Sequence, residues 1–183
     1  MDHLATAEDV VAFWREAGPD KWFSKDEAFD ETCRARFVAT YEAAARGDFA
    51  EWELSPQGAL ALAILLDQFP RNMFRGTRRV YATDAAAVLA AERAIERGFD
   101  KEVEPELRRF FYTPFMHAED PAAQERSVAL SQEMGTDDVL EWAHHHRDII
   151  ARFGRFPHRN AVLGRRSTAD EVAYLAEDQA FTG

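Results

Sequence analysis

Helix punctuation limits what this chain can become more than any other feature. Ser55-Pro56, Glu104-Pro105 and Asp120-Pro121 each set a polar residue directly before a proline. A proline at the first helical position gives up only a backbone N–H that has no partner there anyway. Thr6 with Asp9, Ser24 with Glu27, and Ser167-Thr168 with Asp170-Glu171 read as capping boxes, while Thr83-Asp84 and Thr136-Asp137 offer further starts. Gly18-Pro19, Gly47, Gly98, Gly135 and Gly154 supply the stops. Between them, Phe29, Cys33, Phe37, Tyr41 and Ala44 recur at helical spacing, and Val139, Trp142, Ala143, His146, Ile150 and Phe153 form a second stripe. The segment from Ser55 to Leu66 is apolar on nearly every side, which predicts a central helix; Pro70 is expected to end it by Phe69. No segment alternates like a strand, and Asn-Gly or Asp-Gly hairpin turns are absent. The pattern predicts an all-α fold of about eight helices, short connections making successive helices antiparallel neighbours, in one domain over residues 1–183.

Composition narrows the function. The chain has 33 acidic side chains against 22 Lys plus Arg, a formal charge of −11, which argues against a nucleic-acid coat. Its only cysteine, Cys33, rules out an internal disulfide and a multi-cysteine zinc site, and a reducing cytoplasm is expected. The longest apolar run, residues 59–66, falls far short of the roughly 20 residues that cross a bilayer, and the first residues carry acids where a signal peptide needs lysines. Neither membrane insertion nor export is expected. There is no P-loop, G-x-G-x-x-G turn or G-x-S-x-G elbow, so no cofactor is expected.

Two loops resemble each other. One reads Phe69-Pro70-Arg71-Asn72-Met73-Phe74-Arg75-Gly76-Thr77; the other reads Phe156-Pro157-His158-Arg159-Asn160 and continues to Gly164-Arg165-Arg166-Ser167-Thr168. Both have an aromatic-proline stop, an Arg-Asn pair, an apolar stretch, then glycine with arginine and a hydroxyl nearby, which suits an old duplication. Residues 67–79 carry +3 and residues 152–166 carry +5, so the rest of the chain carries −19. Arginine forks suit carboxylate or phosphate, and the loops are candidates for an anion site formed by Arg71, Asn72, Arg75, Arg155, Arg159, Asn160 and Arg165. The competing reading is structural, with these arginines paired to buried acids or helix-end carbonyls.

Leu65-Leu66-Asp67-Gln68-Phe69-Pro70-Arg71-Asn72, Phe111-Tyr112, Pro114-Phe115-Met116-His117 with Glu119, and Arg152-Phe153-Gly154-Arg155-Phe156-Pro157-His158-Arg159-Asn160, together with Lys21-Trp22-Phe23, resemble the uncharacterised bacterial DUF924 family. The resemblance covers nearly the whole chain. It implies a tetratricopeptide-like arrangement of stacked helix pairs, although the usual 34-residue repeat pattern is not visible in the sequence. It brings no established activity, so no catalytic role is carried over from it.

Residues 110–120 place aromatics against an ionisable end, which predicts a core plug with Asp120 capping the next helix. Within and near it, His117 and Glu119, with His158 and Asp67, are the candidates for proton transfer, since histidine titrates near neutrality and a carboxylate would orient it. His144, His145 and His146 point about 100° apart on a helix and cannot share one metal ion. His146 belongs to the buried stripe, and His145 to a solvated face. Three functions follow as expectations. They are a helical module binding an anionic small molecule or acidic peptide, an enzyme acting on a phosphorylated or carboxylated small molecule, and a purely structural role for the signature residues.

Overall fold

A computed structural model describes residues 4–178, 180, 181 and 183. The described residues are all-helical: 76% of the chain is helix and no strand occurs among them. The expected count of about eight is roughly right, because short helices and 3₁₀ turns supply the excess. Contacts gather the chain into two compact units, one ending at Pro114 and one beginning at Phe115.

In the first unit, α1 (Ala7–Ala17) starts on the Thr6–Asp9 capping box and ends at Gly18, as the sequence predicts. After α2 (Pro19–Trp22), α3 (Glu27–Arg46) is capped by Asp26, whose Oδ1 accepts from the Ala28 and Phe29 amides. The cap is thus Asp26 and not Ser24: the carboxylate two residues nearer the helix reaches the same free N–H groups. Helix α4 (Pro56–Ala63) starts on the Ser55 cap, and residues 58–63 are buried. It passes so close to the turn at Ala50–Leu54 that a Cβ on Gly58 would lie 2.3 Å from the Trp52 carbonyl oxygen.

Pro70 does not stop this helix. Residues Ile64–Gln68 form a π turn, Phe69 keeps helical angles (φ −59°, ψ −36°), and α5 (Phe69–Met73) continues through the proline. The wider turn lets the Phe69 amide reach back to the Ile64 carbonyl, so the ring enters where the ordinary ladder is already interrupted. Helix α6 (Asp84–Glu96) and α7 (Pro105–Arg108) follow. Trp14, Trp22, Phe37, Phe69 and Phe110 fill the core, with ring centroids 4.8 Å apart for Phe37–Phe69 and 4.9 Å for Trp22–Phe110. Cys33 is fully buried and its thiol is pushed up to about 12, chiefly by that burial.

Helix α8 (Thr113–His117) carries the chain from one unit to the next. The aromatic stretch before it and its own first residues, together Phe110 to Met116, are buried, as expected of a core plug. In the second unit Asp120 caps α9 (Pro121–Met134), accepting from the Ala123 amide. Helix α10 (Asp137–Phe153) packs along α9 across the Gly135 turn, so Val139, Ala143, His146 and Ile150 are buried. Trp142 departs from the stripe and is 52% exposed. At about 100° per residue, Trp142 lies at the edge of the stripe centred on Val139, Ala143, His146 and Ile150, so its large ring reaches past the buried face. After α11 (Asn160–Leu163), α12 (Ala169–Leu175) begins on the Thr168–Glu171 capping box and ends three residues short of Asp178.

Candidate functional site

The arginine loops are best read from the carboxylates they meet. In the first unit Asp30 of α3 lies on the buried stripe. It accepts from Asn72 Nδ2 at 2.8 Å and from the Arg75 fork, Nε at 2.8 Å and Nη2 at 3.1 Å. Asp67, fully buried in the π turn, accepts from Thr113 Oγ1 at 3.0 Å and from Gln68 Nε2. Arg71 lies 3.3 Å from Asp67 and 3.1 Å from Asp84, and also donates to the Asp67 carbonyl. Burial works against the Arg71 charge, but Asp67 and Asp84 outweigh it and hold its pKa above the ordinary value.

The second unit repeats the motif with other partners. Arg155 grips Glu171 of α12 with Nε at 2.6 Å and Nη2 at 2.8 Å, and Asn160 Nδ2 donates to the same carboxylate at 3.2 Å. Glu171 also accepts from the Thr168 amide, completing the α12 cap. Its pKa falls to about 2, mainly because of the Arg155 hydrogen bond. Arg165 takes Glu119 in a bidentate pair, 2.6 and 2.9 Å, and donates through Nε to Asn160 Oδ1 at 2.9 Å. Burial raises the Glu119 pKa, yet Arg165, the Phe156 amide and the Arg159 charge pull it lower on balance. Arg159, itself buried, donates to the His117 carbonyl at 2.8 Å and stacks 4.6 Å from the Phe156 ring.

Sequence reasoning missed Asp30, Asp84 and Glu171 as partners. Asp30 had a visible signal, because it is a carboxylate three residues before Cys33 on an otherwise apolar stripe.

Two features of the second unit are shaped differently. A surface cavity of about 360 Å³ is lined by Arg152, Phe153, Arg155, Thr168, Asp170 and Glu171. Among the described residues no carboxylate engages Arg152, whose guanidinium rests 4.6 Å from the Phe153 ring and 5.6 Å from Tyr174. The other is a histidine cluster. His146 is buried, its Nδ1 lies 2.8 Å from the Trp142 carbonyl, and its ring is 6.1 Å from His117. Burial above all, and then His117, push the His146 pKa down to about 3. Among the described residues, no group of three histidine, cysteine or acidic side chains is placed to hold a metal ion, and no helix is long and apolar enough to cross a membrane.

Comparison with known proteins gives kinship without an activity. No curated protein matches the chain. The solved structure of a protein of unknown function from Agrobacterium tumefaciens is similar to it at 53% sequence identity and a TM-score of 0.90, covering 93% of this chain and 96% of the other. The family model for a bacterial protein of unknown function, DUF924, matches residues 10–179 and so spans both arginine loops and the aromatic segment between them. The chain belongs to the DUF924 family.

Proposed function

We propose that this protein is a helical binding module that holds a small molecule by its carboxylate or phosphate group in the cavity of the second unit. The observation that carries this reading is Arg152. It stands at a 360 Å³ cavity, on two aromatic rings, with no carboxylate on it among the described residues, and Arg155 lies on the same wall. A guanidinium backed by rings loses little freedom when an anion arrives, so it is ready to bind. Arg71, Arg75 and Arg165 contribute less to this reading, because each already holds protein acids. These signature residues serve as internal fasteners, a second reading supported by those same pairs. Asp170 and Glu171 balance the two arginines of the cavity, which favours a small ligand with one anionic group over a highly acidic peptide.

The acid–base reading of His117, Glu119 and His158 has weaker support. Glu119, chelated by Arg165 and held ionised, is a poor proton carrier at neutral pH. A tetratricopeptide-like stacking of helix pairs, supported by the close packing of α9 and α10, and a cytoplasmic setting, suggested by one buried thiol, complete the proposal.

Titration with inorganic phosphate and with succinate, followed by melting temperature, tests it. Binding to the folded state at about ten times Kd stabilises by roughly 1.4 kcal/mol. A rise that disappears in Arg152→Ala supports the reading, and no rise with either anion sinks it.

A further inference from the structure

Among the described residues of the segment that follows α12, Phe181 lies over the histidine cluster. The Phe181 ring sits 4.6 Å from His146, 4.9 Å from His158 and 5.9 Å from His145, with Phe156 and Trp142 each 6.3 Å away. Three histidines and two aromatic rings therefore wall a slot of one ring's size. The Phe181 amide is tied to Tyr174 Oη at 3.0 Å.

The occupant does not match its slot. Since His146 Nδ1 faces a carbonyl oxygen, it must carry the proton there, which leaves Nε2 as the acceptor of a neutral ring. That nitrogen is buried and accepts nothing from the described residues. Buried acceptors are nearly always satisfied, and a phenyl ring has no donor to offer. An aromatic ring bearing an O–H or N–H would keep the ring contacts of Phe181 and satisfy the nitrogen as well. We propose that the slot filled by Phe181 is a binding site for a small planar aromatic molecule with a hydrogen-bond donor on its edge, and that Phe181 is the resident plug it displaces. This site is separate from the Arg152 cavity, so either can fail without the other.

The test uses phenol as the probe and toluene as its partner without a donor, with calorimetric titration of the wild type, Phe181→Ala and Tyr174→Phe. Opening the slot in Phe181→Ala should tighten phenol binding about tenfold, and phenol should bind on the order of five- to tenfold better than toluene. Tyr174→Phe, which loosens the tie but keeps the ring, should tighten phenol by a smaller factor. In a Phe181→Ala, His146→Phe double variant the preference for phenol over toluene should vanish, and in Phe181→Ala the ¹⁵N resonance of His146 Nε2 should move on addition of phenol and not of toluene. Equal affinity of Phe181→Ala for the two probes, or phenol binding no tighter in either single variant than in the wild type, overturns the proposal. If Phe181→Ala does not fold, Tyr174→Phe decides alone.

Discussion

The two arginine loops solve one problem with different wiring. In the first unit an asparagine and an arginine three residues apart, Asn72 and Arg75, converge on Asp30, which lies on an earlier helix. In the second, Asn160 and Arg155 converge on Glu171, which lies on a later helix and is also the acidic member of its capping box. Asn160 has a further task. It donates to Glu171 and accepts from Arg165, so it joins two ion pairs that would otherwise be separate. The first loop locks a π turn between helices; the second ties a loop to a helix start. What the loops share is a chemical grammar in which a planar fork and an amide surround one buried carboxylate, and that grammar does not prescribe where the acid lies in the chain.

The sharpest break of the comparison comes at Asp67, the most buried of these acids. Asp67→Ala takes one of the two carboxylates from Arg71, leaving it Asp84 and the main-chain carbonyl of residue 67, and removes the acceptor of Gln68 and Thr113, so unfolding in urea should show a loss of about 3–5 kcal/mol. A loss below about 1 kcal/mol would mean that the first loop does not depend on its internal acid.

This wiring explains what the sequence could and could not show. Caps such as Thr6, Ser55 and Thr168 were legible because the hydroxyl and the amide it serves lie within three residues. Ion-pair partners were not, since Asp30 is 45 residues from Arg75 and Glu119 is 46 from Arg165. The local sums of +3 and +5 counted neighbours along the chain, whereas the potential at an arginine depends on neighbours in space. Pro70 misled for a related reason. Its effect on Phe69 is a local rule, and the π turn that overrides it depends on the packing of Ile64 to Gln68 in the core.

Acid should distinguish the second loop through groups whose shifts are large. His146 stays neutral in the folded chain down to about 3, but takes up a proton near 6.5 when unfolded. Its stabilisation is therefore present above pH 6.5 and is lost as the pH falls toward 3. Glu171, lowered from 4.5 to about 2, stabilises fully above pH 4.5 and loses that contribution as the pH falls to 2. Each group adds a slope of at most about 1.4 kcal/mol per pH unit in its window. Denaturation at stepped pH should show the upper window flatten in His146→Phe and the lower one in Glu171→Gln. An unchanged slope in both variants would locate the acid sensitivity elsewhere.

At neutral pH the two acids of the second unit should differ. Glu171 meets four donors and is almost wholly buried, whereas the Glu119 side chain is 23% exposed and meets three. Glu171→Gln should cost about 1–3 kcal/mol and Glu119→Gln less, because a lost charge-assisted bond is most costly where water cannot replace it. The reverse order would make Arg165, and not Arg155, the principal fastener of that loop.

The smallest stability effect belongs to an arginine that the fasteners leave out. Arg152 rests on Phe153 and Tyr174 at the edge of the cavity, and its removal strands no buried acid. Arg152→Ala should change stability by no more than about 0.5 kcal/mol, against roughly 1–2 kcal/mol for Arg155→Ala, which leaves Glu171 short of two donors. If phosphate or succinate nevertheless raises the melting temperature of the wild type and not of Arg152→Ala, the two roles of arginine come apart. Those paired with acids fasten each unit internally, and Arg152 is available to a ligand. A large stability loss in Arg152→Ala would instead return it to the scaffold and remove the cavity's free cation.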